Sequence, residues 1–221
     1  MGETISLAAS DRHSLTAYTA GDAPRGLVVL QEIFGVNEHI RSVVDRFAAQ
    51  GFSTIAPALF DRIEPGIELG YEAADVERGR EFKGYVSTGD ALKDITASAD
   101  VLLDLEMPVA VIGYCWGGSL AWACSSRMPG LTAAVGYYGG EIAKMKDETP
   151  KCPVMLHFGE TDHAIPMTDV DAVKAAHPGI PVHTYPAGHG FSCDARGSFD
   201  AESHSKALDR TLVFLNELMS I

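Results

Sequence analysis

The sequence predicts an α/β fold in which a mostly parallel, doubly wound sheet carries helices on both faces. Short and almost uninterrupted apolar runs alternate along the chain with stretches of helical periodicity that carry charges on one face. Apolar strands with few polar positions indicate a sheet that is buried on both sides. The alternation of strands and helices calls for parallel strands joined by crossover helices.

Six apolar runs are predicted to form strands, and five amphipathic stretches are predicted to form helices. The strands are Leu27–Leu30, Thr54–Leu59, Val109–Gly113, Ala133–Tyr137, Val154–Phe158 and Val182–Tyr185. The helices are Glu38–Gln50, Gly89–Leu105, Ser119–Met128, Asp169–His177 and Glu202–Leu218. The stretch from Asp61 to Gly84 is the least regular, since it carries several glycines among many charges. We expect it to form an excursion that shapes the substrate pocket.

Length and charge limit the possible functions. The chain has 221 residues with 46% hydrophobic content, and no internal repeat or long linker divides it, so residues 1–221 are predicted to form one domain. The formal net charge of -13 is not concentrated in a tail. Because proteins that bind nucleic acid need clustered Lys and Arg, we expect no nucleic-acid partner. Any basic group beside an anionic substrate would stand out.

Cysteine usage and hydropathy predict a cytoplasmic protein. The four cysteines have no C-x-x-C spacing and no paired framework: Cys115, Cys124, Cys152 and Cys193. A reducing compartment fits this pattern. The first residues show no basic region followed by an apolar run, and no stretch approaches the roughly 18 apolar residues that a membrane helix needs. We therefore expect a soluble protein with no membrane partner.

A glycine-flanked cysteine is the first candidate for chemistry. The strand that ends at Gly113 runs directly into Tyr114, Cys115, Trp116 and Gly117, and a helical stretch follows. This G-x-C-x-G pattern between a strand and a helix has the form of the nucleophile elbow of α/β-hydrolases. A helix that starts just after the sulfur also favours the thiolate. The motif alone leaves open a glycine-rich turn with a buried structural cysteine.

Two later loop residues complete a predicted catalytic triad. Asp162 follows the strand Val154–Phe158, and His189 lies between the strand Val182–Tyr185 and the last helix. The order nucleophile, acid, histidine is the one that α/β-hydrolases use. The cysteine would attack, His189 would transfer protons, and Asp162 would hold the imidazole tautomer. Other histidines near Asp162 lack a recognisable ligand spacing, so we expect no metal site.

Four motifs resemble the dienelactone hydrolase (carboxymethylenebutenolidase) family over nearly the whole chain. They are Gln31–Asn37 (QEIFGVN), Gly113–Gly118 (GYCWGG), Gly136–Gly139 (GYYG) and Gly188–Phe191 (GHGF). The resemblance implies a compact α/β-hydrolase fold, a Cys-His-Asp triad and no cofactor. It also implies a small carboxylated enol-lactone as the substrate, which is opened through an acyl-cysteine intermediate.

The resemblance gives Glu32 a role that spacing alone does not suggest. In the family this glutamate contacts the resting thiol, and its movement on substrate binding is linked to thiolate formation. Without the motif, a buried carboxylate satisfied by a nearby arginine would be the favoured interpretation. The resemblance also places an oxyanion hole at the backbone N–H groups of Ile33 and Trp116.

The substrate contacts implied by the resemblance match this sequence less closely. Arg80 matches the family position that holds the substrate carboxylate, and Tyr85 and Phe34 are expected to contact the substrate. Tyr85 stands one residue further along than the family pattern has its aromatic. A second family arginine, expected four residues after the histidine, is replaced by Cys193, and Arg196 is a nearby candidate to substitute for it.

Two other functions stay open at this point. One is a hydrolase of the same mechanism that acts on another small ester or lactone. The other is a non-catalytic binding protein with an α/β-hydrolase fold, which has no need for all four of Cys115, His189, Asp162 and Glu32. The expected partner is a small-molecule substrate, and a monomer is the expected assembly state.

Overall fold

A computed structural model describes residues 2–220, and eight strands form one sheet within this range. The strands are β1 (Glu3–Ala8), β2 (Ser14–Ala20), β3 (Gly26–Leu30), β4 (Ser53–Pro57), β5 (Val109–Tyr114), β6 (Ala133–Tyr137), β7 (Val154–Gly159) and β8 (Val182–Tyr185). Their spatial order is β1-β2-β4-β3-β5-β6-β7-β8. β1 pairs antiparallel with β2, and β2 pairs antiparallel with β4, whereas all pairs from β4 to β8 are parallel.

Six α-helices flank the sheet within residues 2–220. They are α1 (Glu38–Ala49), α2 (Ala73–Tyr85), α3 (Thr88–Leu103), α4 (Trp116–Arg127), α5 (Met167–Ala176) and α6 (Ala201–Leu218), and short 3-10 turns cover Leu59–Arg62 and Ile142–Met145. The side chains of Asn37, Ser87 and Asp200 cap the N-termini of α1, α3 and α6. Each cap satisfies a backbone N–H that has no partner within its helix.

The central strands are buried along their whole length, which explains their apolar composition. Every residue of β3, β4, β5, β6 and β7 is buried. The helix α1 covers the sheet with an apolar stripe that includes Ile40, Val44 and Phe47. Because β3 and β5 to β8 are parallel and in register, their carboxyl ends meet at one edge of the sheet. Loops from these ends carry the side chains described below.

The predicted fold class is confirmed, and most predicted elements lie within two residues of the observed ones. Three boundaries or elements differ. The predicted strand Thr54–Leu59 ends at Pro57, since a 3-10 turn begins at Leu59. α4 begins at Trp116, directly after the cysteine, rather than at Ser119. The irregular stretch from Asp61 to Gly84 contains α2, which was not predicted, and neither were the half-exposed strands β1 and β2.

No helix within residues 2–220 is long and apolar enough to cross a membrane.

Candidate active site

Cys115 occupies a strained turn between β5 and α4. Its backbone has φ 55° and ψ -113°, a conformation that a non-glycine residue adopts only when the surrounding structure holds it there. A Cβ on Gly113 would lie 1.9 Å from the carbonyl oxygen of Gly117, and a Cβ on Gly117 would lie 2.3 Å from that of Leu30. Both glycines are therefore required for the close approach of strand and helix. The motif forms the elbow that its sequence predicts.

The three predicted triad residues lie in hydrogen-bond contact. Nε2 of His189 is 3.1 Å from Sγ of Cys115, and Nδ1 of His189 is 2.7 Å from Oδ2 of Asp162. The other carboxylate oxygen of Asp162 accepts a hydrogen bond from the backbone N–H of Ala164 at 2.8 Å. With Asp162 on one ring nitrogen, the second nitrogen faces the sulfur. This arrangement suits proton transfer between the thiol and the imidazole.

The environment of His189 favours its protonated form. Burial disfavours the imidazolium, but the hydrogen bonds to Asp162 and Cys115 outweigh burial and raise the pKa of His189 to about 10. The ring also lies beside Tyr138, with ring centroids 5.1 Å apart. Once His189 has taken the thiol proton, it can therefore hold that proton at neutral pH and donate it to a leaving oxygen.

Two backbone N–H groups beside the sulfur are available for an oxyanion. Ile33 lies in the loop after β3, and Trp116 is the first residue of α4; both line the pocket that contains Cys115. Neither N–H donates a hydrogen bond to an acceptor within residues 2–220. Gly79 of α2 packs against this loop, since a Cβ there would lie 2.1 Å from the carbonyl oxygen of Ile33. The oxyanion hole that the resemblance implies would use these two groups.

The pocket above Cys115 is small and has cationic walls. Its volume is about 220 Å³. Three basic side chains line it: Arg80 and Lys83 from α2, and Arg196 from the loop before α6. Lys83 pairs with Glu141 at 3.1 Å, whereas Arg80 has no salt bridge or hydrogen-bond partner among the described residues. Arg80 is thus free to meet an anionic substrate.

Glu32 is fully buried and forms an ion pair with Arg196. Nη1 of Arg196 is 3.1 Å from Oε1 of Glu32, and the two side chains are 20% and 0% exposed. The guanidinium lies over the rings of Phe34 and Tyr71, with distances of 5.6 and 5.8 Å to their centroids. The resting thiol contacts His189 in this structure, and Glu32 contacts Arg196. The thiol–glutamate contact implied by the resemblance is absent from the hydrogen bonds of residues 2–220.

Tyr85 is an expected substrate contact that the structure does not bring to the pocket. It is 63% exposed at the end of α2, and its hydroxyl donates a hydrogen bond to Glu81 at 3.0 Å. The extra residue between Arg80 and Tyr85 rotates the aromatic ring away by about 100° on an α-helix. The expected substrate contact of Tyr85 is therefore corrected. Phe34, by contrast, lines the pocket as expected.

Sequence reasoning did not single out Lys83, Val76 and Glu141, which also line the pocket. Lys83 and Val76 belong to α2, and recognising that helix would have found them. Lys83 follows Arg80 by three residues, and Val76 precedes it by four. This is the spacing of residues on one face of a helix. Glu141 follows the GYYG motif, and no sequence pattern marks it.

Comparisons with known proteins identify the family of this chain. The model of the dienelactone hydrolase family matches residues 15–219. A carboxymethylenebutenolidase of a Pseudomonas species is 35% identical, covering 89% of this chain and 87% of its own. The Pseudomonas putida carboxymethylenebutenolidase is 31% identical, covering 99% of this chain and 98% of its own.

Solved structures show the same fold. A Klebsiella pneumoniae protein assigned to the dienelactone hydrolases superposes with a TM-score of 0.82 at 27% identity, covering 97% of this chain and 99% of the other. A dienelactone hydrolase-like promiscuous phosphotriesterase from metagenomic libraries superposes with a TM-score of 0.78 at 21% identity, covering 99% of both chains. This second likeness concerns the fold alone. The chain belongs to the dienelactone hydrolase family and is a hydrolase.

Proposed function

We propose that the chain opens a small carboxylated enol-lactone, such as 4-carboxymethylenebut-2-en-4-olide, to maleylacetate through an acyl-cysteine intermediate on Cys115. The observation that carries this proposal is the combination of a Cys115–His189–Asp162 contact chain with an unpaired Arg80 in the same small pocket. Pockets for drug-sized ligands have volumes of roughly 300–1,000 Å³, so about 220 Å³ suits a smaller substrate.

The first half-reaction forms a thioester. The Cys115 sulfur attacks the lactone carbonyl carbon, and the carbonyl oxygen takes the developing charge between the N–H groups of Ile33 and Trp116. The ring C–O bond then breaks, and its electron pair goes to the ring oxygen. His189 gives this enolate oxygen the proton that it took from the thiol. The resulting enol tautomerises to a ketone.

The second half-reaction hydrolyses the thioester and regenerates the free enzyme. His189, now neutral, takes a proton from water as that water attacks the thioester carbon. The C–S bond breaks, and the sulfur leaves with the electron pair and regains its proton from His189. Asp162 keeps Nδ1 of the imidazole protonated during both halves, which leaves Nε2 to face the reacting atoms. No cofactor is needed for either half.

Recognition of the substrate carboxylate is assigned to Arg80 and Arg196. Arg80 is unpaired among the described residues, and Arg196 is held by Glu32 at 3.1 Å. A substrate carboxylate that binds Arg196 competes with Glu32 for the guanidinium. Glu32 is then released beside the thiol, which links substrate binding to thiolate formation as the family resemblance implies. In this way Arg196 takes the place of the arginine that Cys193 replaces.

A second candidate is a hydrolase of the same mechanism that acts on another small ester or lactone. The position of Tyr85 and the presence of Cys193 in place of the second family arginine favour this alternative, because both depart from the substrate contacts that the resemblance implies. The chemistry at Cys115 is the same in both cases. The two candidates differ in which substrate is turned over fastest.

The deciding experiment compares kcat/KM for cis-dienelactone, trans-dienelactone and the neutral ester p-nitrophenyl acetate. We expect a dienelactone to be the best substrate. Arg80→Ala should lower kcat/KM for it by one to two decades, since a charge-assisted hydrogen bond contributes about 1.5–3 kcal/mol, and should spare the neutral ester. Arg78→Ala is the matched control, because Arg78 is half exposed and pairs with Glu64 away from the pocket. Equal losses on both substrates would refute the role of Arg80.

A further inference from the structure

Three metal-ligating side chains meet in the interior behind the catalytic pocket. A carboxylate oxygen of Glu32, a ring nitrogen of His39 and Sγ of Cys193 all lie within 4.8 Å of one another, and all three residues are buried. We call this group the interior donor cluster. Its members come from the loop after β3, from α1 and from the loop before α6, so sequence spacing gives no sign of it.

Two atoms of the interior donor cluster lack hydrogen-bond partners. Oε2 of Glu32 and Nε2 of His39 are buried and have no partner among the residues that the structure describes. Both side chains are 0% exposed. An unpartnered buried polar atom costs about 1–3 kcal/mol, and more if it is charged. Two such atoms beside one thiol leave lone pairs that a bound cation can satisfy.

His39 is held in the orientation of a metal ligand. Its Nδ1 lies 2.9 Å from Oδ1 of Asp194, and the other oxygen of Asp194 accepts a hydrogen bond from Arg46 at 3.0 Å. A histidine that donates one N–H to a carboxylate presents a bare nitrogen on the other side of its ring. Metal-binding histidines almost always have such a carboxylate or carbonyl partner.

We propose that Glu32, His39 and Cys193 form a binding site for Zn²⁺. Zinc takes this mixture of oxygen, nitrogen and sulfur ligands, and three protein ligands leave a fourth position for water. Tetrahedral Zn²⁺ sets its donor atoms about 3.3–3.6 Å apart, so the three side chains need to close in by around 1 Å. Binding deprotonates the Cys193 thiol, and the proton passes to solvent.

A surface cleft reaches the His39 side of the interior donor cluster. It has a volume of about 510 Å³, and His39, Tyr71 and Asp194 are among the residues that line it. Charge also permits occupancy. Before zinc binds, the negative charges of Glu32 and Asp194 balance the positive charges of Arg196 and Arg46, and the loss of the Cys193 proton on binding leaves the group at -1 to face the cation.

Zinc in this site would hold Glu32 away from the catalytic thiol and so inhibit turnover. The binding of zinc does not rest on the proposed function, but its effect on turnover does, because that effect depends on Glu32 acting in the reaction. A direct hydrogen bond between His39 and Glu32 is the alternative explanation of the cluster. It would satisfy the same two atoms and would give no affinity for zinc.

The test measures Zn²⁺ binding by titration calorimetry in a Cys115→Ala background. This substitution removes the catalytic thiol, which could otherwise bind zinc together with His189. We expect one equivalent to bind. Adding Cys193→Ala should weaken zinc binding by more than about 100-fold. Adding Asp194→Asn should weaken it by about 10–100-fold, the usual effect of changing the carboxylate that hydrogen-bonds a metal-binding histidine. His13→Gln and Cys152→Ala are matched controls: Nε2 of His13 is also buried and unpartnered, and Cys152 is half-buried outside the cluster.

A second readout does not depend on whether the added substitutions fold. Co²⁺ bound to the Cys115→Ala protein should show a near-ultraviolet thiolate-to-metal charge-transfer band. If this protein takes up no Zn²⁺, or binds Co²⁺ without that band, the proposal is overturned. If Cys193→Ala folds, as judged by circular dichroism, and still binds zinc with unchanged affinity, the proposal is also overturned.

Turnover then separates this site from the proposed function. Zinc should inhibit the protein with intact Cys115 at lower concentration than it inhibits the Cys193→Ala variant, each measured against its own metal-free rate. Binding without this difference would support the zinc site and refute the role of Glu32 in turnover.

Discussion

Arg196→Met tests the buried ion pair that joins the pocket to the interior. The methionine keeps much of the side-chain volume beside Phe34 and Tyr71 but removes the charge that faces Glu32. Glu32 is 0% exposed, and Arg196 is its salt-bridge partner, so within residues 2–220 the carboxylate is left without a cation in hydrogen-bond distance. Breaking a buried pair in this way costs about 3–5 kcal/mol in the free energy of unfolding. The two ring contacts of Arg196 lie near the 6 Å limit for cation–π attraction and add at most about 1 kcal/mol each.

Chemical denaturation measures this loss directly, and thermal unfolding should show a fall in Tm of about 6–20 °C for a chain of this size. The double variant Glu32→Gln/Arg196→Met removes both charges. It should be more stable than Arg196→Met alone by at least about 1–2 kcal/mol, since a buried neutral amide costs less than a buried charge. Arg78→Met is the matched control, because Arg78 pairs with the exposed Glu64 at the surface and its loss should cost at most about 1 kcal/mol.

The same variant reports on recognition. Arg196→Met should lower kcat/KM for dienelactone by one to two decades more than for p-nitrophenyl acetate, because only the dienelactone carries a carboxylate. A stability loss below about 1 kcal/mol, or a double variant no more stable than the single one, would refute the assignment of a buried ion pair. Equal losses on the two substrates would refute the recognition role.

Three further predictions concern proton transfer by His189, the buried Arg62–Asp94 ion pair and the effect of Glu32 on the catalytic thiol. The rate of acylation, measured by stopped flow, should stay constant to about pH 9 and fall as the pH rises through the pKa of His189 near 10. The fall reflects loss of the imidazolium that protonates the leaving oxygen. Asp162→Asn should move this fall to lower pH, because it removes the carboxylate that raises the pKa of His189. Arg62→Ala should cost about 3–5 kcal/mol in urea denaturation, because it strips the bidentate partner from the fully buried Asp94; a cost below 1 kcal/mol would contradict this. Glu32→Gln should speed alkylation of the catalytic thiol by iodoacetamide at pH 7, since Arg196 is left as an uncompensated cation that favours the thiolate. Turnover should fall in the same variant. A fall in both rates would mean that Glu32 acts only as a positioning residue.

The parallel core and the nucleophile elbow could be predicted because local pattern and tertiary environment agree there. The strands β3 and β5 are apolar at nearly every position, and they are buried on both sides. The glycines around Cys115 are required by contacts that occur in any tight strand-to-helix turn. Asp162 and His189 could be placed because each follows a recognisable strand.

The missed elements lack such agreement. β1 is the edge strand and β2 lies beside it. Both alternate between exposed and more buried positions, so neither carries a continuous apolar run. α2 buries only Gly79 and Phe82, and its glycines and charges obscure its helical period. The pairing of Glu32 with Arg196 joins residues 164 positions apart, and no local pattern encodes a contact of that range.

The acyl-enzyme is the most direct test of the central claim that Cys115 is the nucleophile. The protein is mixed with excess p-nitrophenyl acetate or dienelactone, quenched in acid within the first turnover, and examined by intact-protein and peptide mass spectrometry. Our account predicts one acyl group per chain, attached to the peptide that contains Cys115, and none in Cys115→Ala, which should have no turnover. The absence of an adduct on Cys115, together with turnover close to wild type in Cys115→Ala, would contradict it.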